Sequence, residues 1–200
     1  MSNTQIKVIA FDVFGTLARI KKKISPYKKF IQWLHRQGHT PQTNDAMMVM
    51  SIDGNFQDIA THLSYHIPQA FLDELNSELQ AELAQIELFT DSLPTLKRLK
   101  ENGYKIALCS NSATPYGNYI SKLMRDIDLY AWSYEVHACK PEPKIYQYII
   151  DQLSCQPDEV LFVGDTPLAD VQGPTSFGMS AKLIDRKNGQ MLHDVLMDFL

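Results

Sequence analysis

Apolar positions along this chain follow two different rhythms. Residues 6–11 form a nearly continuous apolar run that predicts a buried strand, ending on Asp12 with the turn Gly15-Thr16 close behind. From about residue 25 to residue 89 the spacing is helical. Phe30, Ile31 and Leu34 recur at one-turn intervals after Ser25-Pro26, which has the form of an N-cap and a first-turn proline. Over residues 68–86, Phe71, Leu72, Leu75, Leu79, Leu83 and Ile86 share one face, which predicts an amphipathic helix. After Asp91 helix and strand alternate. Helices are predicted at 93–102 (stopped by Gly103), at 143–153 and from about 190 to 199, and strands at 104–109, 160–163 and, more weakly, 180–184.

Strand alternating with helix predicts an α/β fold, a Rossmann-like parallel sheet covered on both faces. The helical stretch after the first strand then reads as an inserted all-helical cap. The expected division is a core of residues 1–17 and 88–200 with a cap at 18–87. Length and an apolar content of 44% suit one such domain with its insert. A net charge of −4 gives no reason to expect nucleic acid as a partner. Neither a signal peptide nor an apolar run of bilayer length is seen, so a cytoplasmic protein without a membrane partner is expected. Cys109, Cys139 and Cys155 are odd in number and lack CxxC spacing, and read as reduced, semi-buried thiols.

Candidate chemistry lies at the ends of the predicted strands: Asp12, Ser110-Asn111-Ser112 and Asp165, with Lys140 just before a helix. Parallel strands deliver their carboxyl ends to one crevice. A carboxylate nucleophile, hydroxyl and amide donors, a cation and a second carboxylate would meet there, the set that phosphoryl transfer needs.

These segments closely resemble the four motifs of the haloacid dehalogenase (HAD) superfamily, in order. Asp12-Val13-Phe14-Gly15-Thr16 resembles the first, Ser110-Asn111 the second, Lys140-Pro141-Glu142-Pro143 the third, and Gly164-Asp165-Thr166-Pro167-Leu168-Ala169-Asp170 the acidic fourth of the phosphatase branch. The insert matches the superfamily's cap between motifs one and two. The resemblance implies that Asp12 attacks phosphorus to form an aspartyl-phosphate. Mg²⁺ would be held by Asp12, the Phe14 carbonyl, Asp165 and, directly or one shell out, Asp170. Thr16, Ser110 and Asn111 would bind phosphoryl oxygens, while Lys140 would neutralise charge and keep Asp12 ionised. The implied partner is a small phosphorylated metabolite; no oligomeric state is implied.

The chain departs from the phosphatase pattern at Phe14, where those enzymes carry a second Asp that protonates the leaving group. General acid–base catalysis contributes about 10²–10⁴-fold, and a phenyl ring moves no protons. Three readings follow: a phosphatase for good leaving groups or with an acid from elsewhere, a 2-haloacid dehalogenase, or a low-turnover phosphate-binding protein. Haloacid dehalogenases have an aromatic residue at this place and a tyrosine where Tyr146 stands, but their substrate arginine has no match after Thr16. A phosphonatase-like Schiff base on Lys21, Lys22 or Lys23 is a fourth variant; a solvated basic run is the plainer reading. His62 and His66, four apart, lack a carboxylate partner at metal spacing, and the shared face of His35 and His39 is interrupted by Gly38. Met47, Met48 and Met50 are expected to pack the cap, and Trp33 and Trp132 the core.

Overall fold

The computed structural model describes residues 5–200, so the first four positions of the expected core lie outside the described residues. In chain order the elements are β1 (Val8–Phe11), β2 (Ala18–Ile20), α1 (Pro26–Arg36), α2 (Asp45–Met50), α3 (Phe56–His62), α4 (Gln69–Leu83) and β3 (Ile86–Leu88). There follow α5 (Ser92–Glu101), β4 (Lys105–Ser110), α6 (Thr114–Leu123), β5 (Leu129–Trp132), α7 (Ser133–Val136) and α8 (Pro143–Leu153). The chain ends with β6 (Val160–Gly164), a π-helical turn (Pro167–Gln172), α9 (Gly173–Phe177), β7 (Ser180–Leu183) and α10 (Leu192–Leu196).

Five strands form a wholly parallel sheet in the order β5-β4-β1-β6-β7. β1 is central because it is apolar on both faces. Ile9 and Phe11 enter one core cluster with Leu96, Leu99 and Leu192, while Val8 and Ala10 enter another with Ile145, Ile149 and Leu153. Helices therefore cover both sides, as parallel sheets require. The chain leaves β1 to build β4 and β5 on one flank and then crosses to β6 and β7 on the other. The carboxyl ends of β1, β4 and β6 thus frame a topological switch point, where open α/β sheets bind ligands.

Helices α1–α4 lie between β2 and β3, which pair antiparallel as a short ribbon. Their core is aromatic: Phe30 stacks on Trp33 at 5.8 Å, and Phe56 meets Tyr27 at 4.5 Å. The insert docks over the switch point. Ser133 donates to the Met50 carbonyl (2.7 Å), and Thr114 joins Asp53 and the Gly54 amide (both 2.9 Å). Among the described residues no helix is long and apolar enough to cross a membrane.

Several local expectations need correction. Ile86 continues the apolar face of α4 in sequence but pairs with Ile20 in the β2–β3 ribbon, because the helix ends at Leu83. Ser25 does not cap α1 with its side chain; it adopts a left-handed backbone (φ 65°) that presents its amide to a buried carboxylate, Glu82. Edge strand β5, four residues long, has no counterpart in the sequence reading. His35, in the last turn of α1, and His39, just beyond it, do come together. Their rings lie parallel, and both Nε2 atoms face Asp45, at 2.6 and 2.9 Å.

Candidate active site

Asp12 follows β1, Ser110 ends β4 and Asp165 follows β6, so three neighbouring strands present these residues on one rim. Lys140 reaches the same rim from the segment before α8, and Asp170 from the π-helical turn. The Lys140 ammonium donates to Asp12 Oδ1 at 2.8 Å and to Asp170 Oδ1 at 2.7 Å, and it lies 5.1 Å from the Phe162 ring centre. All three members of this ion triad are buried. The second Asp170 oxygen accepts the Thr166 amide (2.9 Å), so both its oxygens are engaged. Asp165 is half-buried, and its one side-chain donor here is Thr166, at 3.2 Å.

Burial opposes charge on Asp12 and Lys140 alike. Desolvation pushes the Asp12 carboxyl up to about 6, and Asp170 adds to the rise, while Lys140 works against both. Burial would lower the Lys140 pKa, but the two carboxylates more than offset it and hold the amine charged. Desolvation also raises Asp165 above the ordinary carboxylate range. Asp12, Asp165 and Asp170 each place a carboxylate oxygen within 4.8 Å of the others, the one such cluster of possible metal ligands among the described residues. Three hard oxygen donors suit Mg²⁺ in type and charge.

The loop after Asp12 is shaped by close packing. Gly15 has φ +98°, and a Cβ there would sit 2.1 Å from an Asp165 oxygen. A Cβ on Gly164 would meet the Asp170 carboxyl at 2.4 Å. Thr16 is buried, and its hydroxyl points to Asp12 Oδ2 at 3.4 Å. Asn111 ties the second and third motif segments together. Its side-chain amide donates to the Lys140 carbonyl (2.8 Å) and accepts the Lys140 amide (2.7 Å), so it clamps the lysine's backbone. Ser110 is buried at the end of β4. The Tyr146 hydroxyl donates to the Ala169 carbonyl (2.7 Å) and braces the turn that carries Asp170. Lys21, Lys22 and Lys23 are exposed, which removes the desolvation a Schiff-base lysine needs. Burial pushes the Cys109 and Cys139 thiols up, to about 12 and about 11, so neither is a thiolate near neutrality.

Phe14 is half-buried and lines a cavity of ≈ 260 Å³ between insert and sheet, with Lys23, Lys28, Met50, Glu82, Asn111 and Tyr116. Its ring meets Tyr116 edge-on at 6.0 Å. Glu82, buried on α4, accepts the Tyr116 hydroxyl (2.6 Å), the Ser25 amide (2.6 Å) and the Ile24 amide. Three donors hold this carboxylate in place. Sequence reading missed Glu82 and Tyr116 because they meet only through the fold; a polar Glu82 between Leu79 and Leu83 was the one trace.

Replacing Lys140 with methionine leaves Asp12 and Asp170 buried without their shared cation. Removing one partner of a buried ion pair costs about 3–5 kcal/mol. A loss of that size is expected in urea unfolding at pH 7.5, shrinking at pH 4, where protonation relieves the two acids.

A parallel sheet with acids and a lysine at its switch point, roofed by a helical insert, is the architecture of an enzyme acting on a small ligand. The chain belongs to the haloacid dehalogenase-like hydrolases, whose family model matches residues 6–178. Among curated relatives it is 26% identical over 197 residues to (S)-2-haloacid dehalogenase 4A of Burkholderia cepacia, covering 91% of this chain and 84% of that protein. It is also 26% identical over 167 residues to pyrophosphatase PpaX of Bacillus mycoides, covering 80% and 75%. The fold matches a HAD phosphatase from Thermococcus onnurineus (TM-score 0.62, 22% identity, 94% of this chain and 90% of that one). It also matches a HAD family enzyme from Bacteroides thetaiotaomicron in complex with magnesium and inorganic phosphate (TM-score 0.65, 17% identity, 95% and 98%). The protein is therefore a HAD-superfamily hydrolase, with both dehalogenases and phosphatases among its relatives.

Proposed function

We propose that this hydrolase is a Mg²⁺-dependent phosphatase acting through an aspartyl-phosphate on Asp12, with α1–α4 as its cap. The observation that carries the reading is the clustering of three carboxylates within 4.8 Å around the Asp12 rim. Carbon–halogen cleavage would use Asp12 as nucleophile but needs no metal held beside it. Asp12, Asp165 and the Phe14 carbonyl would hold the ion, with Asp170 anchored by Lys140 and Thr166 beside them. When bound, the ion supplies charge neutralisation to the phosphoryl oxygens.

An Asp12 oxygen attacks phosphorus, the bond to the leaving oxygen breaks, and its electron pair departs with that oxygen. Lys140 and the Thr16 and Ser110 hydroxyls stabilise charge on the transferring group. Water then attacks the same phosphorus, the bond to Asp12 breaks, and phosphate leaves. Neither Phe14 nor the cavity's one carboxylate, Glu82, supplies a proton in the first step; Glu82 is fixed by three donors. The leaving group must therefore depart as a stable anion. This favours acyl and aryl phosphates over alkyl ones.

A dehalogenase reading is kept because Phe14 and the haloacid dehalogenase relatives favour it. There Asp12 attacks carbon and halide leaves without an acid or a metal. The expected result is phosphate release from acetyl phosphate or p-nitrophenyl phosphate with Mg²⁺, lost on adding EDTA. Halide release from 2-chloropropionate that ignores EDTA would replace the phosphatase with the dehalogenase. Beryllofluoride binding with Mg²⁺ but no turnover of any of these would indicate a phosphate-binding protein.

A further inference from the structure

Arg186 belongs to none of the four motif segments, yet it is the most heavily used cation outside the Lys140 triad. It follows β7, and its guanidinium is buried. Nε donates to the Thr16 carbonyl (2.9 Å), while Nη1 donates to Asp91 Oδ2 (2.8 Å) and the Gln190 carbonyl (3.2 Å). The guanidinium also lies over the Phe89 ring, 4.4 Å from its centre. Asp91 in turn accepts the Leu192 amide at 2.7 Å.

These contacts fall on two strands of chain that matter together. Thr16 and Leu17 lead out of the sheet into the insert, and Phe89 and Asp91 lead back. The two are also stitched directly, since the Leu17 carbonyl accepts the Phe89 amide (3.0 Å) and the Ser92 hydroxyl (2.7 Å). Arg186 closes this knot from the third side. The Thr16 carbonyl it holds belongs to the residue whose hydroxyl points at Asp12, and Gly15 next to it packs against Asp165.

We infer that Arg186 is a positioning residue for the Asp12 loop, fixing Thr16 against the base of the insert so that the Asp12 carboxylate is held in its attacking position. The inference rests on Asp12 as nucleophile, but not on whether phosphorus or carbon is attacked. Misplacing a reacting group by about 1 Å costs on the order of 10²-fold. A guanidinium that binds a carbonyl, a carboxylate and a ring face together is only partly replaced by an ammonium.

The test compares wild type with Arg186→Gln and Arg186→Lys, each confirmed folded by circular dichroism. Substrate is whichever of p-nitrophenyl phosphate and 2-chloropropionate wild type turns over. Expected for Arg186→Gln is a fall in kcat of about 10- to 100-fold with KM within about threefold, and a smaller fall for Arg186→Lys. Amide hydrogen exchange over residues 13–18 should rise in both variants while β4 and β6 stay protected. Unchanged kcat in a folded variant, or a rise in KM alone, overturns the inference. If wild type turns over neither substrate, exchange decides: unaltered protection of residues 13–18 sinks the proposal, and a local rise there supports it. If Arg186→Gln does not fold, the comparison uses Arg186→Lys and Asp91→Asn, the latter keeping the bond to Thr16. Asp91→Asn should then retain more kcat than Arg186→Lys, and the reverse order overturns the assignment.

Discussion

Replacing Asp12 with asparagine is expected to abolish turnover, by on the order of 10⁴-fold or more, without unfolding the protein. The amide keeps the size of the carboxylate, and its one oxygen can still accept from Lys140 while its NH2 faces the Thr16 hydroxyl oxygen, but it is no nucleophile. Losses of this size follow when an attacking group is removed and the rest of a site is kept. Stability should move the other way. Burial raises the Asp12 pKa to about 6, so the folded protein holds that proton more tightly than the unfolded chain does. Stability then falls as pH rises between about 4 and about 6, and it stays lower above that range. Asparagine removes this dependence. The variant should therefore melt at the same or a higher temperature than wild type at pH 7.5, with the difference vanishing near pH 4. An inactive variant that also melts much lower would show a structural role for Asp12 in place of a nucleophilic one.

The same proton predicts the acid limb of the rate profile. Attack needs the ionised carboxylate, so kcat/KM should fall below about pH 6 at limiting Mg²⁺ and shift to lower pH as Mg²⁺ is raised, since a bound cation favours the charged form. A limb indifferent to the metal would count against Asp12 and the ion sharing one site.

What the chain disclosed in advance follows from how signals are encoded. Strand β1 and helix α8 are read directly because buried strands and amphipathic helices write their pattern over consecutive residues; α8 spans the very residues expected, Pro143–Leu153. The convergence of Asp12 and Asp165 was legible because parallel topology sends neighbouring strand ends to one side; Asp170 entered only through the resemblance of its motif. Contacts made only by the fold were not. Nothing near Arg186 announces Thr16, 170 positions away, and nothing near Glu82 announces Tyr116. Asn111 was recognised as belonging to the rim. Its task of clamping the Lys140 backbone depends on two peptide groups that carry no sequence signal. Ile86 misled for a physical reason too. Helical and strand periodicities coincide over one or two residues, and pairing with Ile20 decided between them.

Phe14→Asp should place an acid at the position where phosphatases of this superfamily carry one. Phe14 stands two residues after Asp12, lines the cavity under the insert, and touches Tyr116 edge to face. Losing that ring contact costs about 0.5–1.5 kcal/mol, a modest drop in melting temperature. A carboxyl there, two residues from Asp12, would share the cavity with Glu82, Lys23 and Lys28. Its benefit depends on the substrate. For an alkyl phosphate, whose alkoxide leaves poorly, the gain should approach about 10²-fold in kcat/KM, the lower end of general acid catalysis. For acetyl phosphate, whose carboxylate leaves unaided, little should change. Plotted against leaving-group pKa across a series of aryl and alkyl phosphates, log kcat/KM should fall steeply for wild type and much less for the variant. Two parallel lines would mean that position 14 does not face the leaving group. A loss on every phosphate, with 2-chloropropionate hydrolysis intact in wild type, would instead place the attack of Asp12 on carbon.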